Sequence, residues 1–240
     1  MTYHKITPEE FIAGTVLLLD KPIYWTSFDV VKKIKALLRH RLRIKKIKVG
    51  HAGTLDPLAT GLLIICTGKK TKEIETYQNQ KKEYTGTFFL GASTPSSDLE
   101  TQPDEFYPTD HINADLVQKA AEKFKGEIDQ VPPLFSAKKI EGERAYFHAR
   151  RGDATILKPN KITIHHFEIT KLELPEADFR IVCSKGTYIR AIARDFGKEI
   201  RSGAYLKALR RTAIGDFSVD DAWSIDDLEN FFTNNAIKQP

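Results

Sequence analysis

A chain of 240 residues with 41% hydrophobic side chains can bury a sizeable core, as one large domain or two small ones. No run approaches 18 consecutive apolar residues, and the opening MTYHKITPEE lacks the basic-then-apolar order of an export signal. Membrane insertion and secretion are therefore not indicated, and the cytoplasm is the expected compartment. The net charge of +5 is modest but uneven, since residues 39–48, RHRLRIKKIK, hold six Lys/Arg and no acid.

In chain order, GTVLLLDKP predicts a short strand over 15–19, closed by Asp20, Lys21 and Pro22. TSFD then matches a capping box from Thr26 to Asp29, and Val30, Val31, Ile34, Leu37 and Leu38 recur at helical spacing, predicting a helix to about residue 39. The basic decamer follows. GHAGTLDPLATG, residues 50–61, reads as a loop, and LLIIC, 62–66, as a buried strand bounded by Gly61 and Gly68. EYTGTFFLG predicts a strand over 83–90, and STPSSDLETQPDE has the turn-forming composition of a surface loop.

Asn113 is placed to cap a helix with an apolar stripe of Leu116, Val117, Ala120, Ala121 and Phe124, stopped at Gly126. KITIHHFEI and FRIVC predict strands. GTYIRAIARDFGKEI predicts a helix whose Ile189, Ile192, Phe196 and Ile200 share a face, and a last helix starts near Ser224, boxed by Asp227. The elements alternate without strict βαβ regularity, and no repeat or long linker is visible. One mixed α/β domain over 1–240 is the expectation.

Cys66 and Cys183 both lie in apolar runs, where buried reduced thiols are expected. No CxxC or HExxH spacing occurs, and the adjacent His165 and His166 would face opposite sides of a strand, which argues against a shared metal site. Two further basic clusters, Arg144, His148, Arg150 and Arg151, and Lys207, Arg210 and Arg211, join the decamer. Each could be a solvated face. Three of them interleaved with Tyr, Phe and His suit a polyanion such as RNA.

By itself, Leu-Asp-Pro at Asp56 is a tight turn in which Asp accepts backbone hydrogen bonds. The flanking glycines, nearby His51 and the apolar strand behind also suit a rigidly held reactive group. Arg190, in the first turn of its helix, sits at the positive end of the helix dipole and calls for an acidic partner unless it is a plain surface charge. Tyr84 and Tyr188, taken alone, read as ordinary strand and helix aromatics, a type more often core than catalytic.

Six ordered blocks carry a resemblance: GTVLLLDKPIYWTSFDVVKKIK, KVGHAGTLDPLATGLLIICTGKKTK, KEYTGTFFLGASTPSSD, QVPPLFSAKKIEGERAYFHARRG, VCSKGTYIRAIARDFG and AYLKALRRTAIGDF. Together they resemble the B-type tRNA pseudouridine synthases. The resemblance implies the catalytic fold of that family, a mixed, mostly antiparallel sheet flanked by helices with a central RNA-binding cleft. It implies conversion of a T-loop uridine of tRNA, position 55, to pseudouridine by action on the T-arm with no cofactor; the sequence itself indicates no metal and no membrane, and a monomer is the default expectation. Asp56 then matches the catalytic aspartate, Arg190 its partner arginine and Tyr84 the tyrosine beneath the target base. His51 matches the histidine that fills the space left by the flipped uridine, Tyr188 and Leu209 the lining of the uracil pocket, and Lys21 a supporting lysine.

Only about 25 residues follow the last block, so the C-terminal RNA-binding domain common in such enzymes is expected to be absent or vestigial. Phe135 stands where a tyrosine is common. A non-catalytic tRNA-binding or RNA-folding module using the same cleft is the alternative reading, although Asp56 and Arg190 are not needed merely to bind an anion. An acid–base hydrolase built on Asp56 and His51 is weaker, because no second carboxylate or nucleophile lies nearby in sequence.

Overall fold

Thr26 opens α2 (Ser27–Arg41) with the capping box expected of it: the Asp29 backbone N–H donates to Thr26 Oγ1, and the Thr26 N–H donates back to Asp29 Oδ2, both at 3.0 Å. The computed structural model describes residues 7–133, 135, 139–140, 143–144 and 157–234. The chain divides into two compact units, Met1–Glu83 with Arg210–Pro240, and Tyr84–Leu209.

In the first unit, α1 (Pro8–Ala13) precedes β1 (Val16–Lys21), which runs antiparallel to β3 (Ala59–Thr67) with Val16 opposite Cys66 and Lys21 opposite Gly61. β2 (Val49–His51) pairs with β3, which carries His51 opposite Ile65. A 3-10 turn and α3 (Ile74–Asn79) follow β3. The C-terminal part of β12 (Ala204–Ile214) lies beside β3, with β13 (Phe217–Ser218) paired to it and α6 (Ile225–Asn234) closing the unit.

Leu62 to Cys66 of β3 form an unbroken apolar run because both faces of the strand are covered. Leu63 and Ile65 join the α2 stripe, Leu17, Leu19, Trp223 and Phe232 on one side, while Leu62, Ile64 and Cys66 pack with Ala52, Ile214 and Val219 on the other. Burial in a helix–sheet seam of this kind stabilises the fold by about 1.5–3 kcal/mol per Leu, Ile or Val side chain. At Gly61, with φ 103°, an added Cβ would come within 2.3 Å of the Arg211 carbonyl oxygen, so glycine lets β12 approach.

The second unit is built on β11 (Glu176–Cys183), which lies between β4 (Lys82–Leu90) and β10 (Asn160–Glu173), with β7 (Gly126–Gln130) beyond β10; β10 runs antiparallel to β11 and to β7. Short ladders β5 (Ala92–Ser93) with β6 (Glu105–Phe106), and β8 (Lys139–Ile140) with β9 (Glu143–Arg144), are separate from this sheet. Helices α4 (Ala114–Lys123) and α5 (Ile189–Glu199) flank it, with the stripe faces the sequence marks turned inward. Phe88 stacks on Phe179 at 4.2 Å between centroids and meets Phe167 and Phe196, which gives this unit an aromatic core. His165 falls at a register shift, exposed, while His166 pairs with Glu168 at 3.0 Å. The fold is thus mixed α/β with a mostly antiparallel sheet flanked by helices. Among the described residues, no helix is long and apolar enough to cross a membrane.

Candidate active site

The Asp56 loop is fixed on several sides by its own unit. Ser27, the first residue of α2, is buried and accepts the Leu55 N–H on its Oγ at 2.8 Å while donating to the Leu55 carbonyl at 3.2 Å. The Pro57 carbonyl accepts the Tyr24 N–H at 2.7 Å, and the Ala59 N–H closes a turn onto the Asp56 carbonyl at 3.1 Å. The loop is therefore tied before and after Asp56, whose side chain is half-buried. A carboxylate on a pinned turn loses little freedom on meeting a substrate, which is what precise attack requires.

Lys21, at the end of β1, is fully buried and donates from Nζ to the carbonyls of Trp25 at 2.7 Å, Pro22 at 2.8 Å and Pro57 at 3.5 Å. Burial pushes its pKa down to about 8, opposed mainly by the attraction of the Asp56 carboxylate. The structure thus brings Lys21 and Asp56 together: the lysine ties the 22–26 turn to the Asp56 loop and supplies positive charge beside the carboxylate.

His51, at the end of β2, is half-buried. Its Nδ1 is buried and has no hydrogen-bond partner among the described residues. Burial, with a smaller push from the Arg211 charge, lowers its pKa below the ordinary 6.5, against the Gly53 backbone, so the ring is predominantly neutral at pH 7. A neutral flat ring suits stacking better than ion pairing.

Arg211 departs from the expectation placed on its cluster. It is not a phosphate-facing charge: it is fully buried, donating from Nε to the Leu62 carbonyl at 2.7 Å and from Nη2 to the Gly53 carbonyl at 3.1 Å. It joins β3 to the start of the GHAGTLDP loop. Arg210 makes a two-pronged pair with Asp20, 2.6 Å at its shorter contact, and Lys207 pairs with Glu176. The cluster after residue 206 is therefore largely committed within the fold. The decamer is not: Arg39, Arg41, Arg43, Lys45, Lys46 and Lys48 are all exposed, while Leu42 and Ile44 anchor the segment in the α2 core. In the third cluster, His148, Arg150, Arg151 and the Arg144 side chain lie outside the described residues.

The other expected residues belong to the second unit. Arg190 is buried in the first turn of α5, with Nε 3.5 Å from Asp98 Oδ2, Nη1 donating to the Ser96 carbonyl at 3.3 Å and Nη2 to the Phe135 carbonyl at 2.9 Å. Asp98 is an acidic neighbour the sequence reading missed, because STPSSDLETQPDE looks like a surface loop. Ser96, Ser97 and Asp98 are instead buried: Thr94 and Ser96 donate to the Asp98 carbonyl, the Glu100 N–H donates to Asp98 Oδ1, and the Leu206 N–H donates to the Ser97 carbonyl. Such a loop stays buried because its polar groups satisfy one another. Tyr188 caps α5, its N–H donating to Gln130 Oε1 at 2.8 Å and its carbonyl accepting from Gln130 Nε2 at 3.1 Å. Tyr84 is buried on β4, and Leu209 is half-buried on β12. Among the described residues, no group of three or more His, Cys, Asp and Glu side chains is placed to hold a metal ion.

The first unit thus holds a clamped aspartate loop and the second a buried, helix-borne arginine, on a largely antiparallel mixed sheet. The model of the TruB family pseudouridylate synthase (N terminal domain) matches residues 39–189, so the chain belongs to that family and is an isomerase that forms pseudouridine. Among its relatives, the tRNA pseudouridine synthase B of Flavobacterium johnsoniae is 58% identical over 221 residues, covering 92% of this chain and 96% of that one. That of Parabacteroides distasonis is 51% identical over 229 residues, covering 95% and 97%, and that of Chlorobium luteolum 49% over 216, covering 90% and 74%. Of solved structures, a chain in the crystal structure of a Cbf5-Nop10-Gar1 complex aligns with TM-score 0.71 and 27% identity, covering 97% of this chain and 61% of its own. A chain of an H/ACA RNP bound to a substrate RNA containing 2'-deoxyuridine aligns at 0.68 and 25%, covering 100% and 63%. The present chain thus spans about three-fifths of each of those two chains.

Proposed function

We propose that the chain converts a uridine of the tRNA T-loop, position 55, to pseudouridine, with Asp56 as the nucleophile. The observation that carries this reading is the pinned Asp56 loop, braced by buried Lys21. The high identity to enzymes called tRNA pseudouridine synthase B supports tRNA as substrate.

The reaction breaks the bond from N1 of uracil to C1′, turns the base, and forms a bond from C5 to C1′. The hydrogen on C5 leaves as a proton and N1 gains one, so no atom is added and no cofactor is needed. Asp56 attacks C6 of the ring or C1′ of the sugar, dividing one difficult step into two easier ones. Arg190 acts as the partner arginine of the reaction, its planar guanidinium suited to a carboxylate. Tyr84 stacks beneath the uracil and assists the late loss of the C5 proton.

The target lies in a folded loop and must leave its stack, which costs a few kcal/mol. His51 fills the space left behind, and Tyr188 and Leu209 line the pocket that receives the base. The exposed decamer contacts phosphates and so positions the RNA, while the shape of the loop selects the uridine. The whole chain, 1–240, works as one catalytic domain and as a monomer in the cytoplasm. Purified protein mixed with unmodified tRNA in the presence of a chelator tests the reading: one pseudouridine should form, mapping to the T-loop. Modification confined to another arm, or none, would overturn it.

A further inference from the structure

Between β1 and α2 the chain makes a turn, residues 22–26, that exposes two apolar side chains while Trp25 packs against the core. Ile23 is 46% exposed and Tyr24 75%, and Phe28, in the first turn of α2, is 56% exposed. Tyr24 has φ 68°, a left-handed conformation that glycine adopts freely and that is an outlier for so bulky a residue. Backbone strain of this kind persists only where the surroundings impose it, and it clusters at functional sites. Here the Tyr24 N–H is held at 2.7 Å by the Pro57 carbonyl, and Lys21 Nζ bonds the carbonyls of Pro22 and Trp25 on either side. Among the described residues, nothing stacks on the ring. The turn is thus locked in a disfavoured conformation that points an aromatic side chain into solvent, one peptide from Asp56.

The surface beside it is cationic. Phe28, Lys32, Lys35 and Arg39 follow one exposed face of α2 at spacings of four, three and four residues, and Lys32 Nζ stands 4.9 Å from the centre of the Phe28 ring. The face leads to the decamer and carries a single acid, Asp29, engaged with Thr26 and Lys32. Exposed rings beside cations form the surface on which single-stranded nucleic acid stacks its bases and lays its phosphates. We propose that Tyr24 is a substrate-binding residue: its ring stacks on a nucleobase adjoining the target uridine, holding the opened loop next to Asp56. This rests on the RNA-modifying reading above and extends it to a residue whose side chain makes no hydrogen bond among the described residues.

The test uses a T-arm stem-loop RNA with the full-length wild type, Tyr24→Gly and Tyr24→Phe, measuring affinity, single-turnover rate at saturating protein, and urea unfolding. Glycine relieves the strain, so Tyr24→Gly should be at least as stable as wild type. It should bind the RNA roughly ten-fold more weakly or worse, the range lost with one stacked base. Tyr24→Phe should bind as wild type does. Wild-type affinity in Tyr24→Gly, or an equal loss in Tyr24→Phe, would overturn the stacking role while leaving the catalytic assignment in place. A wild type that neither binds nor converts this RNA would overturn both.

Discussion

Lys21 carries a physical signature that can be read apart from catalysis. Its pKa is pushed from 10.5 down to about 8, a difference equivalent to about 3 kcal/mol between the two protonation states. Between those values the unfolded chain holds the proton more firmly than the folded one, so the contribution of Lys21 to stability rises with pH; it is full above 10.5 and lost as pH falls through about 8. Comparing wild type with Lys21→Met cancels the other titrations. Urea unfolding at pH 7.5 and 9.5 should show the difference moving toward the wild type by about 2 kcal/mol, and a difference that ignores pH would contradict the burial argument. The same residue marks what a sequence shows at this scale. Lys21 and Asp56 are visible as residue types in suggestive loops. That the ammonium meets three carbonyls follows only from the fold, as does the burial of Arg211 and Asp98, because composition cannot tell a buried, self-satisfied polar group from a solvated one.

Elements with local signals were legible, and elements defined by distant partners were not. The Thr26 box, the Asn113 cap and the Gly126 stop are each decided within a few residues, and the structure shows all three. α1 escaped notice although TPEE carries the same kind of box, from Thr7 to Glu10. β12 was hidden for a different reason. In AYLKALRRTAI the cations mask the strand pattern, and they are accommodated by Glu176, Asp20 and two carbonyls that lie far away in sequence. α2 does double duty, burying its stripe and offering Ser27 to the loop. Ser27→Ala should leave the buried Leu55 N–H without its partner, at about 1–3 kcal/mol in urea unfolding, and should lower the single-turnover rate more than the affinity for tRNA. An unchanged rate would mean that Asp56 does not need this tie.

At the scale of the whole molecule, the distribution of charge tells more than its amount. A net charge of +5 says little, yet the exposed decamer has no acid within it and its two buried side chains, Leu42 and Ile44, keep it attached to the core. Replacing Arg39, Arg41 and Lys46 by Gln should leave stability near wild type and weaken tRNA binding. The slope of log affinity against log salt should fall by about two, because each phosphate contact contributes roughly 0.7–0.9. A slope equal to that of wild type would move the phosphate-binding surface elsewhere.

The role of Asp56 is tested most directly with tRNA tritiated at C5 of uridine, because forming the new carbon–carbon link must release that hydrogen. Under single-turnover conditions Asp56→Asn should retain wild-type affinity for the tRNA and release no tritium above background. Release at the wild-type rate would show that the chemistry belongs to another side chain.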